Sequence, residues 1–257
     1  MKLNQIAIQL YTLRDFCKTA ADFATTLKRV REIGYPAIQI SGVGPIPAAE
    51  LRSIAEGEGL VIAATHESTD TILNEPQKIV DRLATLGTKY TALPYPGGFD
   101  FSKAEDVNRL ITQADAAGAV LRAAGQVLTY HNHSIELYRF NGGKPVLETI
   151  YERTRPENLQ GELDTYWLQA GGSNPIEWCV RLRNRLPLLH LKDYAVDATG
   201  KPQYAEIGYG NLDFKAIVRE ADVSGCEWYI VEQDSTPGDP FDSLQTSFDY
   251  IQSNLVS

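Results

Sequence analysis

Eight short apolar runs, rich in β-branched and aromatic residues, recur along the whole chain, and their alternation with helical segments constrains the fold more than anything else. The runs are IAIQLY (6–11), AIQIS (37–41), LVIAATH (60–66), YTALPY (90–95), QVLTYH (126–131), LQGELD (159–164), LPLLHL (186–191) and EWYIVE (227–232). Apolar residues between them follow helical spacing. Phe23, Leu27 and Val30 fall at i, i+4 and i+7. Val107, Leu110, Ile111 and Ala114 fall at i, i+3, i+4 and i+7, as do Phe214, Ile217, Val218 and Ala221. Ser102 and Glu105 have the spacing of a capping box ahead of the fourth helix. Gly34, Gly125 and Gly225 stand where helices should stop. Strands alternating strictly with helices imply a parallel sheet. Eight such units in 257 residues fit a closed barrel, so the expected fold is α/β, a (β/α)8 TIM barrel, with residues 1–257 as one domain. The competing doubly wound sheet needs a glycine-rich turn after its first strand. Here that strand is followed by YTLRDF.

Charge and cysteine usage narrow the function classes. A formal net charge of −9 and a pI near 5.0 argue against nucleic acid as a partner and for a small-molecule substrate. Cys17, Cys179 and Cys226 are far apart and show no CxxC spacing, as expected of free thiols in a reducing compartment. The opening MKLNQIAIQLYTLR breaks its first apolar stretch with polar and charged residues, unlike a signal peptide. No run approaches the roughly 20 apolar residues of a membrane span. The expectation is a cytoplasmic protein that does not engage membranes.

In a barrel of this kind, chemistry gathers where strands end. The first strand reaches Gln9 and Tyr11, and the third ends at His66 and Glu67. The fifth ends at His131, Asn132 and His133, inside LTYHNHSIEL, which also carries Glu136. The sixth ends at Glu162 and Asp164, followed by Tyr166 and Trp167. The seventh ends at His190, Lys192 and Asp193, and the eighth at Glu232, Gln233 and Asp234. The second and fourth offer little beyond Ser41 and Tyr95. A lone aspartate at a strand end is ordinarily a helix cap. Asp164, His190 and Glu232, however, end three successive strands about 4.8 Å apart. Such convergence suits a hard or borderline divalent cation.

At these residues the sequence resembles the xylose isomerase-like barrel superfamily, the sugar phosphate isomerase/epimerase group. The matching segments are YHNHSIEL (130–137), GELDTYW (161–167), LLHLKD (188–193), EIGYGNLDF (206–214) and YIVEQD (229–234), in family order. The resemblance implies one divalent metal ion (Mn²⁺, Co²⁺, Mg²⁺ or Zn²⁺), held by carboxylates and a histidine ending strands five to eight. Asp164, His190 and Glu232 match three of those ligands. Where many relatives have Glu then Asn at the end of strand five, this chain has His131 and Asn132. The strand register favours His131 as the first ligand, and Glu136 is the alternative.

The chemistry implied is isomerisation or epimerisation of a sugar or keto-sugar through an enediolate. Glu232 would be ligand and base, with His133, Glu136 and Lys192 as further acid–base candidates. Gln9, His66 and Trp167 are candidate substrate contacts, the indole through stacking on a sugar face. Pairing with Asp193 or Glu162 at the rim is an equal alternative for Lys192. His131 in place of a carboxylate removes a symmetric two-base pair. It therefore opens two alternatives: a lyase or dehydratase acting on a keto-sugar, keto-inositol or 3-keto-glycoside, and a non-catalytic sugar-binding barrel. A homo-oligomer is compatible with the family. Abasic-site endonucleases of the superfamily use a multi-zinc cluster with many more histidines than the four present here.

Overall fold

Each of the eight apolar runs contains a strand, and together the strands close into a parallel barrel. The computed structural model describes residues 1–139 and 142–256. The barrel strands are β1 (Ile6–Gln9), β2 (Ala37–Ile40), β3 (Val61–His66), β4 (Tyr90–Leu93), β5 (Val127–His131), β6 (Leu159–Asp164), β7 (Leu188–Leu191) and β10 (Trp228–Val231). Neighbours pair in chain order, and β10 closes onto β1. Two further strands, β8 (Asp193–Val196) and β9 (Pro202–Ala205), form an antiparallel hairpin after β7. No helix among the described residues is long and apolar enough to cross a membrane.

The helices are α1 (Ala20–Ile33), α2 (Ala48–Gly57), α3 (Thr69–Asn74), α4 (Pro76–Leu86), α5 (Ala104–Ala123), α6 (Val146–Arg153), α7 (Thr165–Ala170), α8 (Pro175–Arg181), α9 (Phe214–Val223) and α10 (Pro240–Asn254). The residues with helical spacing in α1, α5 and α9 are the buried ones. Strict alternation does not hold. The connections after β3 and β6 each carry two helices, and the hairpin precedes α9. The capping box expected from Ser102 and Glu105 does not form. Ser102 gives its hydroxyl to Asp100 at 2.6 Å, and α5 starts one residue later without a side-chain cap. The capping box is on α1 instead, between Thr19 and Asp22.

The structure settles which strand face points inward. Ala7, Ala37, Ala63, Ala64, Tyr90, Leu188 and Ile230 form a small apolar cluster inside the barrel, separate from the larger layer beneath the helices. Two residues further along the same strands stand Gln9, Gln39, His66, His190 and Glu232. Because the strand period is two, these polar residues point the same way as the apolar ones below them. The interior is thus apolar at one end and polar at the end where the strands terminate.

The motif EIGYGNLDF has a structural explanation. Asp193 accepts backbone N–H groups from Gly208, Gly210 and Leu212 at 2.9–3.2 Å. Gly208 has φ +87°, and a Cβ at Gly210 would lie 2.4 Å from the Asp193 carboxylate. Both glycines let the backbone wrap that carboxylate. Asp213 then caps α9 through the N–H of Ala216.

Candidate active site

Ligand-type atoms of His131, Asp164, His190 and Glu232 lie within 4.8 Å of one another at the strand-terminus end of the barrel. All four residues are buried. Register explains part of this: Asp164 on β6 lies opposite His190 on β7. Asp164 divides its two oxygens. Oδ1 caps α7 by accepting the Trp167 N–H at 2.9 Å, so the ordinary role of a strand-end aspartate is also present. Oδ2 is buried with no hydrogen-bond partner. His131 Nδ1 is likewise buried without one; it lies 3.3 Å from Glu162 Oε1, but out of alignment. Buried polar atoms left without a hydrogen bond carry a cost. Two of them within one carboxylate–imidazole set are what a hard or borderline divalent cation would satisfy. The residues present therefore fit such an ion, with His131, Asp164, His190 and Glu232 as its holders.

Lys192 does not take the rim pairing held as its alternative. It is buried and does not pair with Asp193 or Glu162. Its ammonium donates to Glu232 Oε2 at 3.1 Å and Asp234 Oδ1 at 2.8 Å, and lies 3.6 Å from Asp164 Oδ2. The rings of Trp167 and Tyr204 flank it at 5.2 and 5.3 Å. The unforeseen hairpin supplies Tyr204, which packs on Tyr166 and walls this side of the site.

Glu136 is not among these four donors. Its oxygens accept the Tyr130 hydroxyl at 3.1 Å and the His133 N–H at 2.8 Å. It thereby ties down the loop after β5. His133 itself faces a cavity of about 540 Å³, which His66, His131, Lys192 and Glu232 also line. Its ring contacts Tyr95 and Trp167 at 5.3 and 5.2 Å. Both His133 Nδ1 and Trp167 Nε1 are buried without partners. Gln9 is wholly buried and bonds to Gln39 and His66.

Glu162 is the principal residue outside the expected site. Fully buried, it receives the Gln39 amide at 2.7 Å and His66 Nε2, with His190 Nε2 at 3.1 Å. The signal was present: Glu162 shares strand parity with Asp164, one step deeper. Gln39 carried no such signal, because an isolated glutamine in an apolar run has no distinctive spacing.

Burial and charge set the proton states. Burial opposes charge on His190, but Glu162 and Glu232 outweigh it and raise its pKa to about 10. Burial likewise works against the Lys192 ammonium, and Glu232, Asp164 and Asp234 reverse the effect. Glu232 is held well below the carboxylate range because Lys192 and His190 overcome its desolvation. Glu162 is held down against burial by His66 and His190. Burial raises Asp164. It also depresses His131, with repulsion from His190 adding to the effect, and lowers His133 to about 4, with Lys192 contributing. The cavity wall therefore presents the ionised Glu232 carboxylate and Lys192 ammonium together with the neutral imidazoles of His131 and His133.

The family model described as "Xylose isomerase-like TIM barrel" matches residues 27–254. The chain belongs to the xylose isomerase-like TIM barrel family. A comparison with curated proteins finds no match. Among solved structures, the chain is similar to a sugar phosphate isomerase/epimerase from Parabacteroides distasonis (23% identity, TM-score 0.82, covering 97% of this chain and 98% of that one). It is also similar to a protein described as the probable 3-DHS dehydratase of Bacillus anthracis (12%, 0.73, 99% and 100%). A third is a xylose isomerase-like TIM barrel protein from Mycobacterium smegmatis in complex with magnesium (17%, 0.74, 97% and 95%). At these identities the likeness is one of fold.

Proposed function

We propose that this xylose isomerase-like barrel is a divalent-cation-dependent isomerase or epimerase of a sugar or keto-sugar. The observation that carries the reading is that two members of one four-residue donor group beside the cavity, His131 and Asp164, each hold a buried polar atom without a hydrogen bond. When bound, a divalent ion supplies Lewis-acid polarisation of a carbonyl and its neighbouring hydroxyl. The chain supplies the rest. Glu232, kept ionised by Lys192 and His190, is the carboxylate base at the cavity. His133, neutral and with a buried nitrogen that makes no hydrogen bond, is the second acid–base group at the cavity. Glu136 orients His133 by binding its backbone N–H. The Lys192 ammonium faces oxygen atoms that gain charge as the C–H proton leaves. Return of that proton to the other face of the same carbon gives the epimer; return to the adjacent carbon gives the isomer. Arg14 and Lys192 in the cavity wall are offset by Glu67, Glu232 and Asp234, which favours a substrate without phosphate. Three buried free thiols agree with a cytoplasmic site of action.

A second reading, β-elimination from a keto-sugar or keto-inositol, rests on the asymmetry of the site. Of the four candidate cation holders, His131 and Glu232 line the cavity, an imidazole and a carboxylate rather than a symmetric carboxylate pair, and the Lys192 ammonium beside Glu232 is the proton donor for a leaving oxygen. Both readings are tested together. The purified protein is assayed for bound metal, then given a panel of keto-sugars in D₂O, with Mn²⁺ and with chelator. Deuterium entering recovered substrate and epimer supports the first reading. An enone without exchange into recovered substrate supports the second. Turnover indifferent to chelation and to added Mn²⁺ would overturn the cation-dependent reading.

A further inference from the structure

Beneath the four candidate cation holders, the structure contains a closed ring of hydrogen bonds, and its polarity is determined by one residue. An ionised carboxylate only accepts, so Gln39 must turn its amide nitrogen toward Glu162 Oε2, 2.7 Å away. Gln39 Oε1 then accepts from Gln9 Nε2 at 2.9 Å. The same Gln9 nitrogen reaches His66 Nδ1 at 3.3 Å, which makes Nδ1 an acceptor and places the ring proton on Nε2. That proton returns to Glu162 Oε1. The ring runs Glu162–Gln39–Gln9–His66–Glu162 and draws on β6, β2, β1 and β3. His190 leans on it: its Nε2 lies 2.7 Å from Gln39 Oε1 and 3.1 Å from Glu162 Oε1. Both are acceptors, so Nε2 carries a proton. The nitrogen facing Glu232 at 3.0 Å and Asp164 at 3.9 Å is Nδ1.

We propose that Glu162 is a positioning residue which, through this ring, dictates that His190 offers Nδ1 to the cation; the proposal rests on the cation-dependent reading above. A metal-binding histidine commonly gives its other N–H to a carboxylate or carbonyl, which sets the tautomer and orients the ring. Here the support is a ring whose donors and acceptors close only one way. Gln9 uses one nitrogen for two bonds, so it donates twice. Gln39, and a His66 with a single ring proton, each donate once and accept once. The fourth member must therefore accept twice. A glutamine at 162 cannot do so; it leaves one bond unmade or forces a second proton onto His66. Exchanging the two residues restores the count. In Glu162→Gln/Gln39→Glu, the new glutamate accepts twice, the new glutamine once, and His190 Nε2 again meets only acceptors.

His66, His131, Glu162 and His190 also lie close enough to be counted as a second donor group, but Glu162 Oε1 already lies among their imidazole nitrogens. The ring reading therefore implies one cation per chain. The test uses ¹⁵N-histidine NMR of the cation-free protein and calorimetric titration with Co²⁺. Wild-type protein should show His66 protonated at Nε2 only and bind one Co²⁺. Glu162→Gln should weaken Co²⁺ binding by about 10- to 100-fold and abolish the His66 signature. The exchanged double variant should recover both, with affinity within about threefold of wild type. The proposal is overturned by His66 protonated at Nδ1 in the wild type, by Co²⁺ affinity unchanged in Glu162→Gln, by a double variant as weak as the single, or by a second Co²⁺ that Glu162→Gln removes. If Glu162→Gln does not fold, the wild-type spectrum and stoichiometry still decide. A wild-type protein that binds no Co²⁺ would sink the cation-dependent reading instead, and His66 would then decide the ring by itself.

Discussion

The two ends of the barrel interior are built from the same strands yet solve opposite problems. At one end Ala7, Ala37, Ala63, Ala64, Leu188 and Ile230 pack around Tyr90, where removing apolar surface from water is the whole contribution. Toward the strand ends, Gln9, Gln39, His131, Glu162, Asp164, His190 and Glu232 are buried charges, imidazoles and amides, with His66 partly buried among them. Such groups are tolerated only when paired or bound to a metal. Within the polar end there is a further division. The deeper groups satisfy one another, whereas the groups nearest the cavity leave His131 Nδ1 and Asp164 Oδ2 unmet. A stable scaffold and a binding site are thus stacked along one axis, separated by a single step of the strand period.

Substitutions at the two ends should separate binding from stability. The largest effect is expected at the cavity. His190→Ala should weaken Mn²⁺ binding at least about 1000-fold, roughly 4 kcal/mol, by isothermal calorimetry, while circular dichroism stays that of a folded barrel. Retained affinity would remove His190 from the cation holders. In the apolar end, Leu188→Ala should cost about 2–5 kcal/mol of unfolding free energy in denaturant titrations and leave Mn²⁺ affinity within about threefold. A matching loss of affinity would mean that the two ends are coupled rather than merely stacked.

Glu136 sharpens the contrast, because it is a buried acid with neutral donors only. Burial lifts its pKa from 4.5 to about 7 despite the Tyr130 and His133 bonds. Between those values the folded chain holds more protons than the unfolded one, so this contribution to stability is complete below pH 4.5 and declines as pH rises toward 7. The decline should reach up to about 3 kcal/mol. It should be smaller in Glu136→Gln when the two proteins are unfolded side by side across that range. Equal slopes would show that Glu136 titrates normally. The smallest effect is expected at Trp167. Trp167→Phe removes the unpartnered Nε1–H and should raise KM for a turned-over keto-sugar about fivefold, near 1 kcal/mol, with kcat unchanged. A fall in kcat instead would place the indole at the chemical step.

Much of the barrel was legible because its signals are local. A short apolar run and a helical face of period 3.6 are properties of neighbouring residues, and all eight barrel strands were readable on that basis. The hairpin was not: DYAV and PQYA are short and half-exposed, so neither carries a clear apolar alternation. At the site, Asp164, His190 and Glu232 could be grouped because each ends a strand and consecutive strands adjoin. The partners of Lys192 could not be read off in the same way. Asp193 follows it in the chain but is engaged by the backbone of the glycine loop, which leaves Glu232 and Asp234, just beyond the end of β10, to meet the ammonium.

By itself, then, the sequence determined the eight barrel strands, the polar residues at their ends and a family resemblance spread over five segments. Tertiary structure alone decided which strand face turned inward, that Glu136 ties a loop rather than joining the donor groups, and that Gln9, Gln39, His66 and Glu162 form one ring. The physical reason is that strand parity repeats identically on both faces, so only barrel closure breaks the tie. Hydrogen bonds between residues as far apart as Gln39 and Glu162 leave no periodic trace in the chain.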